Sequence, residues 1–499
     1  MLTILILQLA LGGALAVGIL AALVIVMRIS YIHYKYRHLP GPPIDSFLGG
    51  NTRFAKAVIE DRGTFMETFF ELHEQYGPVF KLISYHIVFI GIADPKAVKE
   101  LLMNSKYLKP EFNYRLFVEL FGERFGGHGL VSECNHERWE QHRRILNPAF
   151  HRKYLMELTD IFNDSASRLT DFLAAQADGK TEVNMKDALE RVTLDVIAKA
   201  GFSMDGDMIS ERNAFSDAIA FVIAAASRSQ IEPFFRFDPR PGARKYRAKA
   251  RATVRFLRKT GTDLIKQRLQ DQKDGKDLPK DILSYIIKTA MIEEHFQLEE
   301  MVDEFMTFFG AGQETTSNLL AFTFIALGQN PHVMEKLQKE VDAVIGDKEE
   351  ILYEDIMQLE YMMMVLKETL RLFPPVGGTT RISSEIFEVG GYKIPPNTMM
   401  FVLSFVMSRQ EQFFKNPMTF DPERFRREED RPLYAYFPFS LGPRSCIGQQ
   451  FALIEARVVL AKLLQRLKFK LVPDQDFTLM ERLTLKPRDD CRHYLSLRE

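Results

Sequence analysis

Phe439-Ser-Leu-Gly-Pro-Arg-Ser-Cys-Ile-Gly448 is the stretch on which the reading of this chain turns. A single cysteine lies between two glycines, with an arginine just ahead of it. Glycine at 442 and 448 lets the backbone fold tightly and approach a flat ligand where a side chain would intervene. From Gln449 to Leu464 the apolar periodicity predicts a helix. A cysteine just before a helix faces the positive end of its dipole, which favours thiolate over thiol. Phe439 can pack beneath such a loop, and Arg444 can pair with an acidic group on a ligand.

Outward from this loop, 499 residues that are 46% hydrophobic provide for a large core, as one big domain or two smaller ones. A net charge of −1 gives no reason to expect nucleic acid as a partner. Cys134, Cys446 and Cys491 are far apart and odd in number. That argues against a disulfide framework and for a reducing, cytosol-facing body. Residues 2–27 carry no charged side chain and, as a helix at about 1.5 Å per residue, exceed a bilayer's hydrocarbon core. Arg28, Lys35 and Arg37 follow, and positive charge on that flank places it in the cytosol. A cleaved signal peptide would carry its basic region first and a shorter apolar run. The expectation is an uncleaved anchor over 1–27, a basic and Pro-rich linker over 28–43 ending in the stiff hinge Leu39-Pro-Gly-Pro-Pro43, and one catalytic domain over 44–499.

Within that domain the predicted class is mainly α with a small β-sheet region. Val79–Ile83 and Ile87–Ile92 read as paired strands, and Asp94-Pro95 as a helix start. Gly390-Gly391 reads as a hairpin turn. Leu298 to Gly328 reads as one long helix with Ala311-Gly-Gln-Glu-Thr-Thr316 in its middle. Glycine inside a helix costs about 1 kcal/mol, so Ala311-Gly312 marks close approach by a ligand or a local opening. Glu314 and Thr315 then set an acid and an alcohol beside it, a pair able to relay protons from water. Trp139 and Arg143 share a helix face, as do Glu368 and Arg371. Arg240 to Lys259 holds nine basic residues on a helix whose Tyr246, Ala250, Val254 and Leu257 face inward. Its basic face is either simply solvated or in contact with anionic lipid or an acidic partner. Pro233-Phe-Phe-Arg-Phe237, just before it, could dip into a membrane interface.

Phe439-x-x-Gly442-x-Arg444-x-Cys446-x-Gly448 resembles the haem-ligand loop of the cytochrome P450 monooxygenases. The resemblance implies that family's fold and haem b (iron protoporphyrin IX) as cofactor. It implies Cys446 as the thiolate ligand, pushing electron density toward O–O cleavage. Phe439, Ala311 and Gly448 would border the cofactor, while Trp139, Arg143, Arg381 and Arg444 would bind its propionates. Glu314 and Thr315 match the oxygen-activation segment. Glu368, Arg371 and Arg424 would form a buried structural network. O2 is then a substrate. With no dinucleotide fingerprint visible, electrons would come from NADPH–cytochrome P450 reductase in the endoplasmic reticulum membrane, docking near Arg138 and Arg144.

Phe121-Gly-Glu-Arg124, Gly129-Leu-Val-Ser-Glu-Cys134, Tyr436–Gly442 and Cys446–Ala452 are similar to the family's cholesterol 24-hydroxylase branch. That implies an apolar, sterol-like substrate, with Phe112, Phe117, Phe121, Val376 and Thr380 as pocket residues. Val376-Gly377-Gly378 departs from that branch's bulky aromatic, which would reshape the pocket. A haem-thiolate isomerase or dehydratase of lipid hydroperoxides would need no acid–threonine relay. A non-catalytic haem-binding membrane protein would bind haem without turnover.

Overall fold

The computed structural model describes residues 2–211, 213–293, 297–426 and 432–498. Helix α1 (Leu2–Lys35) is exposed from Gln8 to Arg28, and its most apolar 18-residue window has a mean hydropathy of 2.7 with none of it buried. It runs past Met27 through Arg28 to Lys35, so most of the basic segment is helical. No glycine or proline lies between Arg28 and Leu39-Pro40. Tyr36 and Leu39, both buried, tie its end to the body. Lys81 Nζ donates to the carbonyls of both at 2.7 Å, and the Tyr36 hydroxyl hydrogen-bonds Thr398 at 2.7 Å.

Strands β1 (Val79–Ser84) and β2 (Ile87–Ile92) pair antiparallel as the alternation predicted, turning at Tyr85. Asp94 Oδ1 accepts the Ala97 amide at 2.8 Å and caps α2 (Pro95–Met103), with Pro95 in its first turn. The Val79–Ile92 pair joins a four-stranded sheet through β3 (Thr379–Arg381) and a later strand, Met399–Val402, which runs parallel to β2 and antiparallel to β3. Phe387–Val389 and Tyr392–Ile394 form the expected hairpin, with Gly390 and Gly391 at φ 58° and 80°.

The body is organised around the long helix Leu298–Gln329, here the central helix, buried along most of its length. Its N-terminal half packs through rings: Phe305 and Phe309 stand 4.8 Å apart, and Phe202 stacks on Phe309 at 5.1 Å. Gly261, on the basic helix Pro241–Lys273, admits the Phe305 ring, which a Cβ would meet at 2.7 Å. Gly312 faces Ile197 of the helix Met185–Phe202, whose side chain a Cβ would meet at 3.4 Å. A Cβ would fit there in ordinary van der Waals contact, so helix packing does not itself demand glycine. A Cβ on Gly310 would meet nothing, and the opening lies there and at exposed Ala311.

Below the central helix, Glu368, Arg371 and Arg424 form a closed and fully buried network. Arg371 donates to both Glu368 oxygens at 2.7 and 2.8 Å, and Arg424 Nε to Oε1 at 3.0 Å. The Asp421 amide and the Ser408 and Thr419 carbonyls take up further polar positions. Glu368→Ala would leave two guanidinium groups buried without counter-charge, a loss of about 3–5 kcal/mol. The expected result is a urea midpoint well below the parent's, or no folded protein. An unchanged midpoint would show that the network carries no stability.

Candidate active site

The cysteine loop is held by backbone bonds and by one close approach. Cys446 N donates to Phe439 O at 2.9 Å, and Ser445 N to Gly442 O at 3.0 Å. Gly442 sits at φ 72°, where a Cβ would lie 2.1 Å from the Leu102 carbonyl oxygen at the end of α2. Glycine is required there by both conformation and space. The helix Gln449–Arg466 begins directly after Gly448. Cys446 is accessible, yet protein crowds it closely enough that burial pushes its thiol pKa up. The Gly448 amide and Arg143 pull the other way and lose. The thiolate expected from the helix dipole is thus outweighed by desolvation, and a bound metal cation would reverse the balance.

Positive charge surrounds the loop. The Arg444 guanidinium lies 4.3 Å over the Trp139 ring, and one nitrogen donates to Glu133 O at 2.7 Å. Its Nη2 is buried without a hydrogen-bond partner. Burial, and then Arg381, lower its pKa to about 10. Arg381 is buried beside Thr379 Oγ1 and Thr380 O, at 3.0 and 2.9 Å. Lys109 Nζ donates to Val131 O at 2.7 Å, and burial followed by Arg444 and Arg381 drives its pKa well down. None of these three forms an ion pair with a carboxylate among the described residues. Sequence reading missed Lys109, since a lone loop lysine carries no pattern.

Arg143 does not join this cluster. It donates to Asn147 Oδ1 and Ser445 O, both at 2.7 Å, and so braces the loop one residue before the cysteine. Trp139, on the same face of the helix His136–Leu146, supports Arg444 instead. Phe439 is half-buried against the core.

Glu314 and Thr315 are separated by helix geometry. Thr315 Oγ1 donates to Ala311 O at 2.8 Å and shares that residue's accessible face. Glu314, about 100° further round, is buried toward Lys186, Glu190, Thr484 and Lys486, and burial raises its pKa. The acid therefore stands behind the wall in which the alcohol sits. Among the proposed pocket residues, Phe112 is exposed, Phe117 and Phe121 are half-buried, and Val376 is 50% exposed. Thr380 is buried in the sheet opposite Phe401, a place that withdraws its side chain from open space.

An accessible sulfur near a helix start, in a loop whose Arg444 stands with Lys109 and Arg381 and no ion pair among the described residues, fits a flat dianionic group bound through sulfur. The sequence matches the cytochrome P450 family over residues 40–490, and the chain belongs to that family of haem-binding monooxygenases. Cytochrome P450 72A13 of Arabidopsis thaliana is 31% identical over 412 residues, covering 80% of this chain and 78% of the relative. Cytochrome P450 3A28 of Bos taurus is 28% identical over 459 residues, covering 88% and 86%. The chloroplastic carotene epsilon-monooxygenase of Arabidopsis thaliana is 28% identical over 430 residues, covering 82% and 78%.

Gly442→Ala is expected to push the loop off the Leu102 carbonyl and sharply lower the haem retained per folded chain. Pyridine haemochrome content set against protein concentration measures this, and full retention would contradict the steric reading.

Proposed function

We propose that this protein is a membrane-anchored haem-thiolate monooxygenase that hydroxylates an apolar lipid, with a sterol side chain, as in cholesterol 24-hydroxylase, the first candidate. The observation that carries the reading is the accessible Cys446 thiol in the same loop as Arg444, which stands with Lys109 and Arg381 in a group of cations without an ion pair among the described residues. Haem b bound through Cys446 would supply the redox-active iron at which O2 is reduced. One oxygen atom enters the substrate and the other leaves as water, with two electrons and two protons consumed.

The chain's own residues have separable tasks. Arg444 and Arg381 bind the propionates, the buried Arg444 Nη2 being an open donor for a carboxylate oxygen. Arg143 holds Ser445, and so the direction of the cysteine. Ala311 and Thr315 border the open side of the central helix, where a methyl and a hydroxyl leave room for O2 and substrate. Burial raises the Glu314 pKa, so its proton persists above the usual carboxylate range. Giving that proton up leaves a carboxylate that Lys186 and Lys486 stabilise, and water restores it.

Electrons reach the protein from a separate flavoprotein, NADPH–cytochrome P450 reductase. A groove of about 1080 Å³ lined by Arg138, Gln141, Arg144, Pro443 and Ser445 lies on the face carrying the cysteine loop and suits such a partner. Attachment to the endoplasmic reticulum, with the body in the cytosol, is supported by α1 and its basic flank. Phe234 and Phe237, 67% and 74% exposed, add an apolar edge, with Tyr85 against Phe234 at 6.3 Å. An apolar substrate would enter from that side.

The departure at Val376-Gly377-Gly378 has a packing cause. A Cβ at Gly377 would lie 2.2 Å from Met66 sulfur, and one at Gly378 2.4 Å from Val402 O. Both glycines answer to the scaffold, leaving Val376 to shape the pocket at this point.

Cys446→Ser is expected to abolish the red-shifted Soret band that thiolate ligation gives the reduced, CO-treated protein. If the band persists, Cys446 is not the ligand. Sterols, fatty acids and carotenoids titrated into the holoenzyme should produce a substrate-type Soret shift, largest for sterols, with a hydroxylated product on adding reductase and NADPH. A larger shift and faster turnover with another class would displace the sterol assignment.

A further inference from the structure

The C-terminal hairpin, Leu479–Glu481 paired with Leu485–Pro487, reaches two places at once. Its Leu485 amide donates to Pro375 O at 2.8 Å, one residue before Val376. The preceding residue, Thr484, is buried and enters the polar cluster behind the central helix. There Asn318 Nδ2 donates to Thr484 Oγ1 at 2.7 Å. That contact uses the hydroxyl as an acceptor and leaves its proton to be given. Beside it stands the Glu314 carboxyl, one helical turn from Asn318 on the same side of the helix, with Oε2 buried and without a hydrogen-bond partner. Lys186 and Glu190 face the cluster from the helix Met185–Phe202, Ser317 from the central helix and Lys486 from the hairpin. Lys186 Nζ is ion-paired to Glu190 and donates to Ser317 Oγ at 3.2 Å.

A neutral carboxyl has one carbonyl oxygen and one O–H. A hydroxyl that donates to one of its oxygens makes that oxygen the carbonyl and leaves the proton on the other. We infer that Thr484 is a positioning residue for proton delivery: its hydroxyl sets which Glu314 oxygen carries the proton, and the hairpin couples that setting to whatever occupies the pocket at Val376. This rests on the proposed reading of Glu314 as the proton carrier. No bond other than O–H changes: Glu314 loses a proton toward the pocket, and water returns one through the Lys186 cluster. The physical gain is timing. Substrate pressing on Val376 moves the segment that holds Leu485, and Thr484 is the adjacent residue, so an empty pocket and a filled one would orient the acid differently.

The experiment uses the full-length holoenzyme with reductase, NADPH and cholesterol as the probe, comparing the parent with Thr484→Val, Thr484→Ser and Glu314→Gln. Infrared difference spectra identify the Glu314 carbonyl stretch as the band that Glu314→Gln removes. In Thr484→Val this band is expected to rise in frequency as a hydrogen bond is lost, and peroxide released per NADPH to increase several-fold. Thr484→Ser should restore both; because Thr484→Val also strips the Asn318 amide of its acceptor, all variants are compared at a temperature where each is folded. A band and peroxide ratio that stay at parent values in Thr484→Val would overturn the inference. So would equal loss in the valine and serine variants, which is the mark of a merely structural contact. If Glu314→Gln leaves the peroxide ratio unchanged, the proton-carrier reading fails and the timing role with it, while the infrared band still reports whether Thr484 bonds the carboxyl.

Discussion

Lys109, Arg381 and Arg444 repel one another and none forms an ion pair among the described residues, the Glu133 carboxylate acting on Lys109 and Arg444 without outweighing their desolvation. Burying a charge costs several kcal/mol unless a partner arrives, and three like charges compound that cost. The three come from separate parts of the chain: the loop after α2, the sheet strand β3 and the cysteine loop. Converging them is work the fold does against electrostatics. An anionic ligand that enters this place neutralises the cluster and closes the free Arg444 donor. Such a ligand binds the folded state and not the unfolded one, and so adds to stability by mass action. Folding and cofactor binding are then one linked equilibrium.

The Glu368 network shows the opposite use of buried arginine. There the carboxylate is supplied in cis, nearly every donor is filled, and the cluster is closed to any ligand. Both clusters contain arginines with almost no exposed surface, so burial alone does not distinguish structure from site. What distinguishes them is the presence or absence of an ion-paired carboxylate among the described residues. The same comparison applies to the central helix. Thr315 is bonded locally and faces an opening, whereas Glu314 is inside the wall with one oxygen unanswered.

Much of the fold was legible because the signals are local. Asp94 caps its helix through its own side chain, Gly390-Gly391 turns a hairpin with positive φ, and the period of the apolar residues marks the central helix. The cysteine loop belongs with these, since glycine, arginine and cysteine lie within ten residues. Ala311-Gly312 was read as close approach by a ligand or a local opening; the opening lies at Gly310 and Ala311, while Gly312 faces Ile197. Arg143, grouped with the propionate residues, hydrogen-bonds Asn147 and Ser445, a brace on the cysteine loop that the spacing did not show. Glu314 and Thr315 were taken as one unit, although adjacent helical residues point in different directions.

By itself, then, the sequence determined the N-terminal apolar helix, the other helices, the turns and the cysteine loop, because each depends on neighbours a few positions away. Only the tertiary structure decided which cations stand together without an ion pair, that Lys109 is among them, and that Thr484 meets Glu314 from more than a hundred residues downstream. Charge and hydrogen-bond complementarity are properties of positions in space. The chain encodes such pairs only through the core that brings them together.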